Sequence, residues 1–576
     1  MAINTSAVGS SDPQIPLLAR NIVDGAIDYK GRPAIRSKYG RWRSAPFIIG
    51  VEMAERIAYF GIGSNLISYL TGPLGQSIAV AAEYVNAWIG VSYLLPLLGA
   101  VVADSFLGRY RTIAFSSLVY VLGLGLLTVS AMMPSIKPSA CENIIQKASC
   151  SPYNLQEVIF FFALYLVAIG QGGHKPCVQA FGADQFDGQD EDECKERSSF
   201  FNWWYFGLCI GPLLSRSILT FVQDNLSWSL GFGIPCIIMV VALVVFLLGS
   251  RTYRYNVKGE EENPFLRIGK VFASAARNWR STPPSVDVEQ EAQGILLYHG
   301  SQQFKFLDKA LLTPHDSKDN VKICSTAEVE EAKAILRLFP IWATSLVYAI
   351  VFAQPSTFFT KQGATMDRSI GTAFSVPAAS LQAFISLSAI LFIPIYDRIF
   401  VPVARALTGN PSGITMLQRI GAGLFISIIS MIVAALVELK RLETAFKYKL
   451  IDLPEVTVPM SVWWLVPQDV LLGIANVFTI VGLQEFFYDQ VPKQLKSVGL
   501  SLYMSIIGIG SLLSSCAVSF INGVTTGDGR DSWFADNLNR AHLDYFYWLL
   551  AGLSAVGLAL FIYFAKSYVY NGKSSI

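Results

Sequence analysis

The run Trp228-Ser-Leu-Gly-Phe-Gly-Ile-Pro-Cys-Ile-Ile-Met-Val-Val-Ala-Leu-Val-Val-Phe-Leu-Leu-Gly249 contains no charged residue. A helix of roughly 20 such residues spans the ~30 Å hydrocarbon core of a bilayer. Comparable runs recur along the chain. Candidate spans lie near 46–71, 85–103, 112–133, 155–181, 199–221 and 228–249, and again near 334–355, 372–396, 416–437, 461–488, 497–521 and 544–566. A polar stretch from Ser250 to Lys333 separates the two sets. The pattern predicts an all-α membrane protein with about twelve transmembrane helices in two six-helix bundles, the arrangement in which two pseudo-repeats enclose a central site.

Composition agrees with lipid as the solvent. Over 576 residues, 52% are hydrophobic and 15% charged, whereas soluble chains carry roughly a quarter charged residues. A net charge of +2 offers no clustered basic face, so nucleic acid is not an expected partner. Residues 1–45 are polar and lack the apolar core and cleavage site of a secretory signal, so the first span is expected to serve as its own insertion signal. The expected organisation is an N-terminal tail (1–45), a first bundle (46–249), a linker (250–333), a second bundle (334–566) and a C-terminal tail (567–576).

The eight cysteines form no CxxC or His/Cys arrangement suited to zinc. No metal site and no cofactor are expected. Nor does any nucleophile–base constellation accompany the intramembrane charges, which argues against an enzyme.

Basic residues set the orientation. Arg20, Lys30, Arg32, Arg36, Lys38, Arg41 and Arg43 precede the first span, and the linker carries many more, while Thr71 to Val85 has none. Both termini and the linker are therefore expected on the cytosolic side. The stretch Glu438 to Met460, expected outside, dissents with Lys440, Arg441, Lys447 and Lys449. Cys141 and Cys150, also expected outside, are placed where a disulfide or two free thiols could stand. Within the linker, Pro264 to Arg280 sets Leu266, Ile268, Phe272, Ala275 and Trp279 against Arg267, Lys270, Arg277 and Arg280. This amphipathic pattern suits a helix at the membrane interface or one packed on protein.

Ionisable residues inside the spans carry the functional signal. Glu52, Glu55 and Arg56 stand within the first span. A start near Pro46 sets Glu52 about 9 Å and Arg56 about 15 Å deep. A charge near mid-membrane costs roughly 2.5 to 3.5 kcal/mol on insertion scales, so these groups must face protein and pair. The i,i+3 and i,i+4 spacings allow it. Two carboxylates sharing one cation cannot both ionise cheaply, so one is expected to exchange a proton. A structural ion pair would not need the second carboxylate.

Lys175 follows the run Gly170-Gln-Gly172-Gly173-His174 on the fourth span, where glycines suggest close helix approach. Its distance from the helix end, about 9 Å, is compatible with snorkelling or with an interior role. Glu485 on the tenth span is placed alike, and the two could close a cavity between the halves. His174 is expected only to pack. The aromatic run Phe200 to Phe206 could line a pocket or anchor at the interface.

A repeat is legible at the ends of the second and eighth spans. Gly99-Ala-Val-Val-Ala-Asp104-Ser-Phe-Leu-Gly108-Arg109-Tyr-Arg111 corresponds to Tyr396-Asp397-Arg398-Ile-Phe-Val-Pro402. The first run resembles the loop signature of the major facilitator superfamily, which implies that Asp104, Arg109, Asp397 and Arg398 act as a conformational latch.

With the motif Glu52-x-x-Glu55-Arg56, Phe181-Gly-Ala-Asp184-Gln-Phe-Asp187, Phe306-Leu-Asp-Lys309-Ala and Leu483-Gln-Glu-Phe-Phe-Tyr-Asp-Gln490, the sequence resembles the plant nitrate/peptide transporters of the proton-dependent oligopeptide transporter group. The resemblance runs from about Arg36 to Lys566. It implies a major facilitator fold and proton-coupled symport of a small solute, such as nitrate, a di- or tripeptide or another organic compound, by alternating access. A proton gradient replaces any cofactor, and protons, solute and the lipid bilayer are the partners. The resemblance further implies that Glu52, Glu55, Arg56 and Lys175 couple protons and that Glu485 and Lys175 lie at the substrate cavity. Phe352 falls where some nitrate-recognising members have a histidine; phenylalanine can neither donate a hydrogen bond nor titrate. A solute-sensing receptor-like protein or an uncoupled facilitator is the alternative. Ser105 aligns with a position whose phosphorylation regulates one branch of the family. Asp12-Pro-Gln-Ile-Pro-Leu17-Leu18 looks like an acidic dileucine sorting signal, which favours the vacuolar over the plasma membrane. Oligomeric state is not legible.

Overall fold

In lipid every backbone N–H and C=O must be bonded within the protein, and helices achieve this segment by segment. The computed structural model describes residues 22–133, 155–187, 190–256, 264–279, 304–311, 324–371, 374–408, 414–492, 496–526 and 531–568.

The first half comprises α1 (Ala45–Gly63) and its continuation α2 (Leu66–Thr71), α3 (Ile78–Val102), α4 (Arg109–Met132), α5 (Leu155–Ala183), α6 (Glu191–Leu214) extended by a π-helical turn into α7 (Thr220–Asn225), and α8 (Trp228–Leu248). A linker helix follows, α9 (Pro264–Arg277). The second half comprises α10 (Thr326–Phe352) with α11 (Thr360–Ala364), α12 (Ala383–Ile395) with α13 (Val401–Thr408), α14 (Met416–Lys447), α15 (Val466–Asp489), α16 (Lys496–Thr525) and α17 (Leu543–Ser567). Among the described residues, eleven helical segments are long and apolar enough to cross a membrane. The twelfth, α1, is set apart by Glu52, Glu55 and Arg56. The chain is an all-α membrane protein of two six-helix bundles.

In the first bundle α4 and α5 pack on each other, α3 packs on α5, and α1 lies against α6 and α8. In the second, α14 packs on α15 and α17, and α10 on α16 and α17. The halves meet chiefly where α3 packs on α16 and α6 on α12. The α3–α16 seam is close because Gly90 and Gly508 face each other's helices: a Cβ on Gly90 would stand 2.9 Å from the Gly508 carbonyl oxygen.

Hydrogen bonds between the halves cluster near Thr71 and Ile78, termed here the far side; the side where α1 starts and α9 lies is the linker side. Lys361 Nζ donates to Thr71 Oγ1 (3.0 Å), the Ile78 amide to Asp536 Oδ1 (2.8 Å) and Gln382 Nε2 to the Ser64 carbonyl (2.8 Å). Deeper, Asn86 Nδ2 donates to Ser514 Oγ at 3.1 Å.

On the linker side the segment expected as a plain tail folds back. Strands β1 (Ile22–Ile27), β2 (Pro33–Ile35) and β3 (Tyr255–Asn256) form an antiparallel sheet in the order β2-β1-β3. It delivers Arg36 to Asp187 (2.7 Å) and Asp190 (2.6 Å), while buried Arg254 pairs with buried Glu193 at 2.6 Å. The Phe181–Asp187 motif is thus a junction. Asp184 binds Arg109 (2.5 Å) and Gln185 holds both the amide and the carbonyl of Arg254.

Two expectations change and one open alternative is decided. The dissenting positive charges at 440–447 are helical, because α14 runs to Lys447, and Arg441 is neutralised inside the protein by Glu438. Helix α10 begins at Thr326, eight residues before the expected span, stopped by a reciprocal cap between Ser325 and Glu328. Finally α9 packs on protein: Val271 and Ala275 are buried with Leu307, Ala310, Val329 and Ala332, and Arg267 pairs with Glu331 at 2.7 Å. Leu266 on α9 and Trp279 just beyond its end remain exposed. The Phe306–Ala310 motif supplies that dock, with Asp308 bound to Lys333 at 2.7 Å. The cysteines Cys141 and Cys150, the Asp12–Leu18 motif and Arg280 lie outside the described residues.

Candidate functional site

Helix α1 carries two functional layers in succession. Glu52, Glu55 and Arg56 are all buried, and counting from Ala45 they lie about 10 to 17 Å into the helix. Arg56 Nε stands 3.0 Å from Glu52 Oε1, and Arg56 Nη2 stands 2.5 Å from Glu55 Oε2. These are close charge contacts without aligned hydrogen bonds: Glu52 Oε2, both Glu55 oxygens and Arg56 Nε and Nη2 lack hydrogen-bond partners. One turn on, Tyr59, Phe60 and Gly63 reach the wall of a cavity.

Lys175 adds a second cation. It lies eight residues from the end of α5 and stands 3.6 Å from the centroid of the Tyr93 ring, with no hydrogen bond from Nζ. Tyr93 itself lines the cavity, and its ring meets Tyr59 edge to face at 6.4 Å. Lys175 and the α1 cluster therefore stand one aromatic layer behind the cavity wall. The glycine run makes this possible: a Cβ on Gly99 would lie 2.0 Å from the Gly172 carbonyl oxygen, and one on Gly173 would lie 2.0 Å from Ser116 Oγ. Only bare backbone lets α3, α4 and α5 approach so closely.

His174 belongs to this cluster, which the sequence reading missed. It is fully buried, neither ring nitrogen has a partner, and it places a nitrogen within 4.8 Å of Glu52 and Glu55 oxygens. Such a triad has the residue types of a metal site, but Arg56 already contacts both carboxylates, and a cation there would have to displace it. The adjacency to Lys175 was the available signal; only helix packing shows that His174 reaches the carboxylates of α1.

The cavity, about 190 Å³, lies between the halves. Phe352 lines it, as do Arg216 and Asn476. Glu485 does not. It stands four residues from the linker-side end of α15, half exposed, paired with Arg419 at 3.1 Å. No ion pair joins it to Lys175. Asn476, nine residues earlier on α15, occupies the cavity depth expected of Glu485. Among the described side chains of the aromatic run none lines the cavity: Phe200 and Trp204 pack against each other near Phe186, while Trp203 and Phe206 are exposed.

Both latch segments share a geometry. Ala103–Leu107 and Tyr396–Phe400 are π-helical turns closing the second helix of each half, as a repeat requires. Gly108 follows the first with φ +79° and ψ 154°, a conformation open essentially to glycine alone. Arg109 binds Asp184, and Arg398 is exposed. The side chains of Asp104, Ser105 and Asp397 lie outside the described set.

The sequence profile of the POT family matches residues 110–534. The chain belongs to the POT family. Two Arabidopsis thaliana relatives cover it almost end to end. Protein NRT1/PTR FAMILY 5.10 is 61% identical over 96% of this chain and 97% of its own length, and Protein NRT1/PTR FAMILY 5.14 is 56% identical over 96% and 98%. Among solved structures, an auto-inhibited POT family peptide transporter superposes with a TM-score of 0.70 at 23% identity, covering 92% of this chain and 98% of its own. The POT family transporter PepTSo gives 0.66, also at 23% identity, over 91% and 98%. These likenesses bear on fold. The POT-family chain is accordingly a multi-pass membrane transporter and not an enzyme.

Proposed function

We propose that this POT-family transporter is a proton-coupled symporter of a small solute, working by alternating access. The observation that carries the reading is the α1 cluster: two buried carboxylates share one poorly aligned arginine, one aromatic layer from a cavity between the halves. A carboxylate left short of donors is suited to take up and release a proton, and Tyr59 and Tyr93 link its state to the cavity wall. In this reading Glu52, Glu55, Arg56 and Lys175 couple protons, and far-side bonds such as Lys361 to Thr71 close one access route. Phe352 contacts solute. Glu485, at the mouth with Arg419, acts on entry or release instead of in the cavity. Asp104, Arg109, Asp397 and Arg398 brace the linker-side turns, and a phosphate on Ser105, with its ~1.5 to 2 negative charges, would disturb that brace.

The test is uptake of labelled nitrate, dialanine and phenylacetate into proteoliposomes under an imposed inward proton gradient. Accumulation of one of them that collapses with the gradient supports symport. Exchange that ignores the gradient selects an uncoupled facilitator, and binding without flux a receptor. The tail motif Asp12–Leu18 supports the vacuolar membrane and cytosolic termini; a tagged Leu17→Ala, Leu18→Ala variant that stays where the parent resides would remove that argument.

A further inference from the structure

The chemistry of the cavity wall narrows the solute class. Arg216 sits in the π-helical turn Ser215–Leu219 that follows α6. Its guanidinium lies over the Phe60 ring, 4.7 Å from the centroid. Nε donates toward Ser64 Oγ at 3.4 Å, and Nη1 donates to the Gln382 carbonyl at 3.3 Å and to Ser386 Oγ at 2.9 Å. Among the described residues Nη2 has no hydrogen-bond partner and no carboxylate pairs with the group. Asp469 is buried on α15 and is not among the lining residues. An arginine at membrane depth without a bonded anion is costly, and its open nitrogen belongs to a residue of the cavity wall.

The other polar groups match it. Asn476 accepts the Tyr348 hydroxyl on Oδ1 at 2.6 Å, so the two N–H bonds of its amide are what it has left to offer. Ser356 and Ser386 add hydroxyls, and no Asp or Glu is among the lining residues. Tyr59, Phe60, Tyr93 and Phe352 with aliphatic neighbours make up the remainder. The wall is rich in donors and rings, and its fixed charge is positive.

We propose that the cavity takes a compact organic monoanion, with its carboxylate on Arg216 and an aromatic or branched body against Phe60, Tyr93 and Phe352. This rests on the transport reading of the cavity. A zwitterionic peptide would bury an ammonium with no carboxylate to receive it, at a heavy desolvation cost. Nitrate would satisfy Arg216 but leave the ring-lined wall uncovered. The size also fits, since 190 Å³ lies below the roughly 300 to 1,000 Å³ of sites for drug-sized ligands.

The experiment is equilibrium binding of radiolabelled phenylacetate to the purified full chain in detergent at one pH, with unlabelled nitrate and dialanine as competitors. Saturable phenylacetate binding is expected, with both competitors at least about tenfold weaker. Arg216→Gln should lower phenylacetate affinity about tenfold or more, the scale of a lost charged hydrogen bond, and Arg216→Lys should lower it less. Asn476→Asp, which adds a negative charge to the wall while keeping size, should also weaken phenylacetate, and it serves if the Arg216 variants fail to fold. Phe352→Ala should weaken phenylacetate more than nitrate. No saturable phenylacetate binding, equal or tighter binding of dialanine or nitrate, or unchanged affinity in both Arg216→Gln and Asn476→Asp overturns the proposal. Because no gradient is applied, loss of proton coupling cannot mimic these outcomes. Conversely, gradient-driven uptake of dialanine or nitrate would leave symport standing while this assignment fell.

Discussion

Helices α1 and α14 each bury a glutamate–arginine group, and the protein treats the two in opposite ways. On α14, Arg441 forks onto Glu438 with Nε to Oε2 at 2.8 Å and Nη2 to Oε1 at 2.6 Å. The same guanidinium donates to Asn539 Oδ1 at 2.9 Å and to the Leu538 carbonyl at 2.6 Å. Both residues are fully buried, and neither has an unsatisfied polar atom. On α1, Arg56 touches two carboxylates and satisfies neither fully. A bidentate, hydrogen-bonded pair holds its charges fixed. A shared, misaligned one leaves a carboxylate whose protonation state can change. The lesson is that a buried Glu/Arg pair is a brace or a switch according to the donors around it, and the residue types alone do not say which.

The largest effect should come from the brace. Arg441→Ala strands Glu438 in a dry site, and breaking a buried pair costs about 3 to 5 kcal/mol. We expect most of the protein to be lost as aggregate, with the remainder melting well below the parent in a fluorescence melt of detergent-solubilised protein. An unshifted melt would place α14's pair in the same class as α1's and end the contrast.

Next comes the switch. Glu52→Gln and Glu55→Gln should each abolish accumulation against a gradient while retaining counterflow at equal pH, and the melt should move by no more than the equivalent of ~1 kcal/mol, because few aligned hydrogen bonds are lost. Full gradient-driven accumulation in both variants would make the α1 cluster structural.

Lys175→Ala should give the same split more weakly. It removes the buried cation that rests on Tyr93, beside the α1 cluster, and leaves the contacts of Arg56 intact. Accumulation falls and counterflow persists; loss of both together would mean that Lys175 serves binding or folding instead.

The smallest effect belongs to Lys440, whose ammonium lies 3.4 Å from the Trp464 centroid at the far end of α14. An exposed cation–π contact contributes about 0.5 to 1 kcal/mol. Lys440→Ala should lower the melt slightly and leave uptake unchanged, marking the baseline against which the other variants are read.

Much of the transporter is legible in one dimension. The apolar runs name the spans because length and composition suffice in lipid. The spacing of Glu52, Glu55 and Arg56 places them on one helical face, and Gly170 to Gly173 announce close packing. Depth is where reading falters. Glu485 and Asn476 sit on the same helix nine residues apart; the linear pattern left the depth of Glu485 open, and only the family resemblance set it at the substrate cavity. Where α15 ends, at Asp489, decides that Glu485 stands about one turn from the helix end, outside the cavity lining. Arg216 was equally visible as a charge inside the fifth span, yet its importance depends on missing partners, which no sequence lists.

The sequence by itself determined that this chain crosses a bilayer about twelve times, in two halves, with ionisable groups on the first helix that must face protein. Those conclusions rest on local quantities: the length of an apolar run, the helical period, the cost of a charge in hydrocarbon. Tertiary structure alone decided that His174 joins the α1 cluster, that Lys175 rests on Tyr93, that Arg216 opens onto the cavity and that Arg441 is a closed brace. Each of these depends on which groups arrive, or fail to arrive, from other helices, and that arrangement exists only after the helices have packed.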